Sequence, residues 1–438
     1  MSSRLLPFLL FASLLLPPFA DAAGPAADAK AVSKDATLSY DTLPAPVAMA
    51  DKVDSDLWQR LRAGMTLSEL DSPLVASQEN WFASRPAYLE TAFRRARLYL
   101  YHIVEEVEAR GMPAEIALLP VVESAYNPRA LSPAKASGIW QFIPSTGKVY
   151  GLKQNGWYDG RQDVVTATEA ALDYLERLQE MFGSWELALA AYNCGEGCVG
   201  RAIARNQAKG LPTDYLSLDL PGETRNYVPR LIAVRNLVRE PARYGLALEA
   251  MPNQPYFQQV NLPYPIEAKT AARMAGIDMD ELLSLNPGFR RHVIHADSQD
   301  NLLLPVDKLD SFRAAFEAAE SQRIRLRSYD ARKGEVLSRI ADRFDVTIQW
   351  LKEHNPLETK RGRIAHAQTL MLPPSAGRTA SAGKKTARPS VRTHTVRKGD
   401  TLIALAKRYK VTVADIREYN GALKVLRPGA KLQIPLNS

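Results

Sequence analysis

Apolar residues recur at helical spacing through the first half of the chain and then give way to a shorter, mixed rhythm. A helical pattern starts near Leu57. From Pro86 to Arg110 the positions Leu89, Phe93, Leu98, Tyr101, Val104 and Val107 return every few residues until Gly111 ends the run. Farther on, Ala171, Leu172, Leu175 and Leu178 share one face of a helix that Thr166 or Thr168 can cap; Ser184 can cap the next helix, which Gly195 stops. Glu223 to Val238 makes another, with Pro229 close enough to its start to be tolerated. No alternation of strand type interrupts residues 81–240, so this stretch reads as a mainly α domain. Residues 23–80 read as a tether, rich in Ala, Asp, Lys and Pro at first, followed by a helical lead-in.

The last third carries a repeat. Three segments share an Ala, an aliphatic at +5, another at +10 and an Asn at +14: Ala272, Ile277, Leu282, Asn286; Ala341, Val346, Leu351, Asn355; Ala406, Val411, Ile416, Asn420. Each closes on an aliphatic run ending in Pro305, Pro373 or Pro435, and the pattern predicts small βααβ modules over 258–306, 325–374 and 392–437, with a linker at 375–391. The first copy is degenerate, with Pro265 where the others have Gly334 and Gly399.

Composition changes this picture in three places. Residues 1–22 have one basic residue, a short proline-broken apolar run and an Ala-Asp-Ala end, the form of a cleavable export signal rather than a spanning helix. The chain is therefore expected in the periplasm, with no transmembrane helix after signal removal. The net charge of +8 is uneven: Ser321 to Ser438 holds 25 Lys and Arg against 9 Asp and Glu, a balance of +16, and the rest is at −8. In an exported chain that points to an anionic envelope polymer rather than to nucleic acid. The two cysteines, Cys194 and Cys198, lie far from the signal, so a lipid anchor there is not expected. Four residues apart in an oxidising compartment, they suit a local disulfide.

The chemistry concentrates in Leu118 to Gly151. Glu123 follows an apolar segment, with Ile116 and Leu119 at i−7 and i−4, so on a helix its carboxyl shares an aliphatic face and its pKa is raised by desolvation. An ordinary helix end with a solvated Glu would also explain those residues taken singly. Small and turn-forming residues follow, then Trp140, Gln141 and Phe142, a composition that lets a ligand approach closely.

The whole run resembles the signature of the lytic transglycosylases with a goose-lysozyme-like soluble transglycosylase domain: Glu123 and Ser124, Asn127, Ser132, then Gly138, Gln141 and Pro144, with no gap. Two further blocks resemble that family, Ala191, Tyr192, Asn193 and Gly195, and Glu223, Thr224, Arg225, Tyr227 and Val228. The resemblance implies a lysozyme-like fold over 81–240 with Glu123 as general acid and base and Ser132 hydrogen-bonding its carboxyl. Gln141, Tyr192, Asn193 and Tyr227 would line sugar subsites or hold the acid in place. Among the aromatics Trp140, Trp157 and Tyr126, only Trp140 is expected to touch ligand. The C-terminal skeleton is similar to the lysin motif, which binds the N-acetylglucosamine-containing chains of peptidoglycan or chitin. Together these resemble the membrane-bound lytic murein transglycosylase D group, departing in the lack of a lipobox cysteine.

Glycosidic cleavage normally uses two carboxylates, and the signature supplies one. Intramolecular attack by the muramic acid C6 hydroxyl makes a second less necessary, so the implied product is a 1,6-anhydro sugar. Asp159 and Asp163, around Arg161, are the nearest other carboxylates and are expected to serve as an ion pair and a helix start. A goose-type muramidase and a non-catalytic wall-binding scaffold are the competing readings. No cofactor is expected, nor a metal, because the six His show no ligand spacing along the chain; the expected partner is the peptidoglycan glycan strand.

Overall fold

The structure is a computed structural model. It describes residues 56–294, 301–321 and 326–373, and beyond them 390–397, 399–409, 411, 416, 420 and 428–436. The expected signal, the tether as far as residue 55 and most of the expected linker lie outside these residues. The chain divides into two compact units, Met1–Pro374 and Ser375–Ser438.

Among the described residues of the first unit, ten α-helices precede any strand: α1 (Leu57–Ala63), α2 (Pro73–Ala83), α3 (Pro86–Ala96), α4 (Leu100–Ala109), α5 (Leu119–Ser124), α6 (Pro144–Val149), α7 (Val164–Phe182), α8 (Trp185–Cys194), α9 (Glu196–Gln207) and α10 (Gly222–Arg239). Four of them, α1, α2, α7 and α8, start behind a short polar cap, as at Ser72, whose hydroxyl accepts from Leu74 N–H just before Pro73, and at Ser184, which accepts from Leu187 N–H. Three sequence expectations change here. The cap of α7 is Asp163, which accepts from Thr166 N–H, while Thr168 lies buried within the helix. The run from Pro86 to Arg110 breaks at residues 97–99 into α3 and α4. Pro229 is the eighth residue of α10, well inside it, so the helix runs past a missing N–H. The helix α10 packs on α2 and α8 and lies through the middle of one large apolar core.

The modules follow. The first contains β1 (Phe257–Val260), β2 (Ile266–Glu267), α11 (Ala268–Ala275), α12 (Met279–Leu285), β3 (Val293–Ile294) and β4 (Leu302–Pro305), with β1 paired to β4 and β2 to β3, all antiparallel. Its core also takes Phe312 and Phe316 from α13 (Leu309–Ser321), a helix beyond the expected end at 306. The second has β5 (Arg327–Ala331), α14 (Leu337–Phe344), α15 (Ile348–His354), a short hairpin of β6 (Thr359–Lys360) and β7 (Arg363–Ile364), and β8 (Gln368–Leu372) paired to β5. In the second compact unit, β9 (Ser390–Thr395) pairs with β10 (Lys431–Leu436) around α16 (Leu402–Tyr409).

The repeat has a physical reason in all three modules. The +5 aliphatic sends its N–H to the carbonyl of the repeat Ala, Ile277 to Ala272, Val346 to Ala341 and Val411 to Ala406, the closing bond of a Schellman cap. The +14 Asn docks its amide on the closing strand: Asn286 with Leu303, Asn355 with Met371 and Asn420 with Gln433 each exchange two hydrogen bonds with that residue's backbone. Gly334 and Gly399 sit at φ of +87° and +95°, a conformation closed to Pro265, which is why the first copy turns differently.

Candidate active site

The helix α5 is short because the chain turns sharply after it: Ala125 and Tyr126 both take left-handed φ, and their N–H groups bond back to Val121 and Pro120. Tyr126 is buried, its hydroxyl donating to the Ala117 carbonyl, so it belongs to the core. This turn leaves Glu123 at the end of the helix, with Ile116 and Leu119 fully buried beneath it.

A groove of about 490 Å³ opens over that carboxyl. It brings together Glu123, Ser132, Gln141, Tyr192, Asn193 and Tyr227, which come from three separated blocks of sequence. The Tyr227 hydroxyl donates to Glu123 Oε1. Tyr192 donates to the Trp140 carbonyl (2.8 Å), and Asn193 Oδ1 accepts from Thr224 (2.8 Å), which ties α8 to α10. Gln141 donates to the Gly138 carbonyl at 2.8 Å.

Two expected roles are corrected. Ser132 lines the groove but makes no hydrogen bond to Glu123; its hydroxyl accepts from Ala136 N–H at 3.0 Å, closing its own turn. Trp140 does not reach the groove at all. It is 0% exposed and donates its indole N–H to Thr168 Oγ1 at 2.9 Å, so the residue sits in the core.

The loop that carries these groups is pinned from below. Arg161 pairs with Asp159 through two hydrogen bonds (2.9 and 2.8 Å) and donates to the Lys135 and Phe142 carbonyls. Gly138 lies so close to Arg161 that an added Cβ would fall 1.8 Å from its carbonyl oxygen. Asp159 and Asp163 thus act as ion pair and helix start, and neither lines the groove.

Burial pushes the Glu123 carboxyl up to about 7 from 4.5, and the nearby charge of Glu223 adds to the rise, while the Tyr227 hydrogen bond works against it. The phenols of Tyr192 and Tyr227 are held well above their usual range, by burial first and by the Glu123 charge second. Both remain donors.

Sequence reasoning missed Tyr174 and Arg230, and named Glu223 in a family block without giving it a site role; all three also line the groove. Glu223, Tyr227 and Arg230 stand at i, i+4 and i+7 of one helix face, a signal available in the sequence; Tyr174 on α7 has none. Cys194 and Cys198 form a disulfide with Cα atoms 5.8 Å apart, at the groove edge after Asn193.

Residues 101–213 match the transglycosylase SLT domain, residues 256–321 the LysM-like domain of lytic transglycosylase MltD, and residues 329–373 and 394–435 the LysM domain. The chain is 36% identical over 393 residues to membrane-bound lytic murein transglycosylase D of Escherichia coli (strain K12), covering 87% of this chain and 86% of that one. It is 32% identical over 117 residues to the soluble lytic murein transglycosylase of the same strain, covering 25% and 18%. A solved structure, the 70 kDa soluble lytic transglycosylase from Escherichia coli, aligns with a TM-score of 0.29 and 21% identity over 38% of this chain and 30% of that one.

Proposed function

Because the chain belongs to the family of membrane-bound lytic murein transglycosylase D, we propose that Glu123 is the single acid and base with which this lytic murein transglycosylase cleaves its glycan. The substrate bond is the β-1,4 link from N-acetylmuramic acid to N-acetylglucosamine. Glu123 enters protonated and gives its proton to the glycosidic oxygen as that bond breaks. The C6 hydroxyl of the same muramic acid then attacks its own anomeric carbon and returns a proton to Glu123, leaving a 1,6-anhydro end. The observation that carries this reading is a carboxyl held near 7 at the bottom of a groove, the value an acid needs to be protonated before the step and ionised after it.

Tyr227 orients the acid through its hydrogen bond, and Gln141, Tyr192 and Asn193 hold the sugars beside it. Analysis of the products from purified sacculi tests the mechanism: muropeptides with anhydro ends, lighter by one water than hydrolysis products, are expected, and reducing ends alone would refute it. One observation favours hydrolysis as the second reading. Glu223 brings a second carboxylate to the groove, and a carboxylate that positions water would make the enzyme a muramidase.

The lysin-motif modules bind peptidoglycan and raise the local concentration of glycan at the groove by tethering. The enzyme acts at the cell envelope. Its expected export signal supports a periplasmic site, held there by the wall itself. Among the described residues no helix is long and apolar enough to cross a membrane.

A further inference from the structure

His292 and His354 are 62 positions apart and belong to different modules, yet they meet. Their rings lie 5.6 Å apart in an edge-to-face arrangement, and the backbone N–H of His292 donates to the backbone carbonyl of Glu353 at 3.3 Å. A ligating atom from each of His292, Glu353 and His354 lies within 4.8 Å of the other two, the only such group among the described residues. The lack of ligand spacing along the chain is therefore no guide to the fold.

The state of His354 adds an independent observation. It is 3% exposed, stacked on Trp350 at 3.9 Å, and its Nδ1 lies 2.8 Å from the Trp350 carbonyl. A carbonyl only accepts, so Nδ1 carries the hydrogen. Nε2 then faces Glu267 Oε1 at 3.1 Å, from β2 of the first module. With the hydrogen on Nδ1, the Nε2 lone pair is free to ligate, and the Glu267 carboxylate places a further ligand oxygen beside it. An Nδ1–H held by a backbone carbonyl is also how proteins aim Nε2 at a metal ion.

We propose that this junction is a site for a divalent transition ion of the zinc class, bound by His292, Glu353 and His354 with Glu267 as the further carboxylate. Two imidazoles and carboxylate oxygen suit that ion. His292 and Glu353 are exposed, so they can move the remaining distance; Glu353 exchanges its hydrogen bond from Gln349 (2.7 Å) for the metal. Bound there, the ion staples the second module to the first. Pro356, two residues beyond His354, packs on Gly156 of the catalytic domain, so the staple also sets how the second module stands beside that domain.

The test uses the full-length chain without an affinity tag, stripped with chelator and titrated with zinc by calorimetry. One saturable site is expected, weakened more than about tenfold in His292→Ala and in Glu353→Gln and unchanged in His366→Ala. The two weakening positions are exposed, and metal-free melting curves that match the parent show that each variant is folded. Absence of saturable binding, or binding undiminished in both variants, overturns the proposal and leaves the contact of His354 with Glu267 as a plain hydrogen bond between the modules.

Discussion

The hydroxyl of Tyr227 donates a hydrogen bond to the carboxyl of Glu123 across 104 residues of chain. Two opposed influences therefore meet on one acid. Burial, the larger, favours the neutral carboxylic acid, and the phenol favours the carboxylate. In the proposed mechanism, the balance near 7 is what lets Glu123 give and take a proton within one cycle.

Replacing Tyr227 by Phe removes the donor that stabilises the charged form. The carboxyl pKa then rises further, so the falling limb of kcat/KM against pH, expected near 7 in the parent, moves up by about one pH unit, and activity at pH 6 drops about 10- to 100-fold as the acid loses its orientation. A limb that stays in place or moves down would show that Tyr227 does not act on Glu123.

Glu123 also makes stability depend on pH. Its folded pKa of about 7 lies above the ordinary 4.5, so the native state binds this proton more tightly than the unfolded chain. Native stability is then lost as pH rises from 4.5 to 7 and stays lower above that. Glu123→Gln removes the cost. Each tenfold difference in acidity is worth about 1.4 kcal/mol, and the variant is expected to be more stable than the parent by about 1–3 kcal/mol at pH 8 with no difference at pH 4. Thermal melts at the two pH values check the sign, and digestion of sacculi by the same variant should be abolished.

The raised acid was legible because an apolar run leads into Glu123, and Ile116 and Leu119 are both fully buried in the structure. The module skeleton was legible because a Schellman cap and a docked Asn each demand one residue type at one spacing. The place of Trp140 and the break between α3 and α4 had no linear signal. Trp140 follows a turn of small residues as a ligand-facing aromatic would, but Thr168, 28 residues on, supplies a buried acceptor for its indole. The break between α3 and α4 passes through Arg97, Leu98 and Tyr99, none of them a helix breaker; Tyr99 spends its hydroxyl on the Ser284 carbonyl of the first module (2.7 Å), a tertiary demand invisible in the local pattern.

Asn355 is fully buried and serves both backbone groups of Met371, donating to its carbonyl at 3.0 Å and accepting from its N–H at 2.6 Å. Asn355→Ala orphans both groups and should destabilise the second module by about 2–3 kcal/mol. Because the chain has two compact units, one global melting point reports this poorly. Hydrogen exchange at the Met371 amide reads it directly, and unchanged protection there would count against the role.

The disulfide closes a very short loop, so its removal should cost about 2 kcal/mol or less. The double variant Cys194→Ser, Cys198→Ser is expected to fold with a modestly lower melting temperature. Thiol counting on the unreduced, unfolded parent should find no free thiol; two would mean that the bridge is absent.

Gly138 and Gly111 both have positive φ, +84° and +61°, but only one has a neighbour in the way. A Cβ on Gly111 meets nothing within 4 Å, so Gly111→Ala bears only the left-handed backbone cost, about 1 kcal/mol. At Gly138 the same methyl would overlap the Arg161 carbonyl, a backbone atom held by the Asp159 and Arg161 pair, and it cannot be accommodated without moving the loop that carries Ser132 and Gln141. Gly138→Ala should therefore cost more than about 3 kcal/mol and depress activity even at temperatures where the chain stays folded. Equal melting-temperature losses for the two variants would mean that the loop yields freely, and that the close approach of Gly138 to Arg161 does not hold the groove in shape.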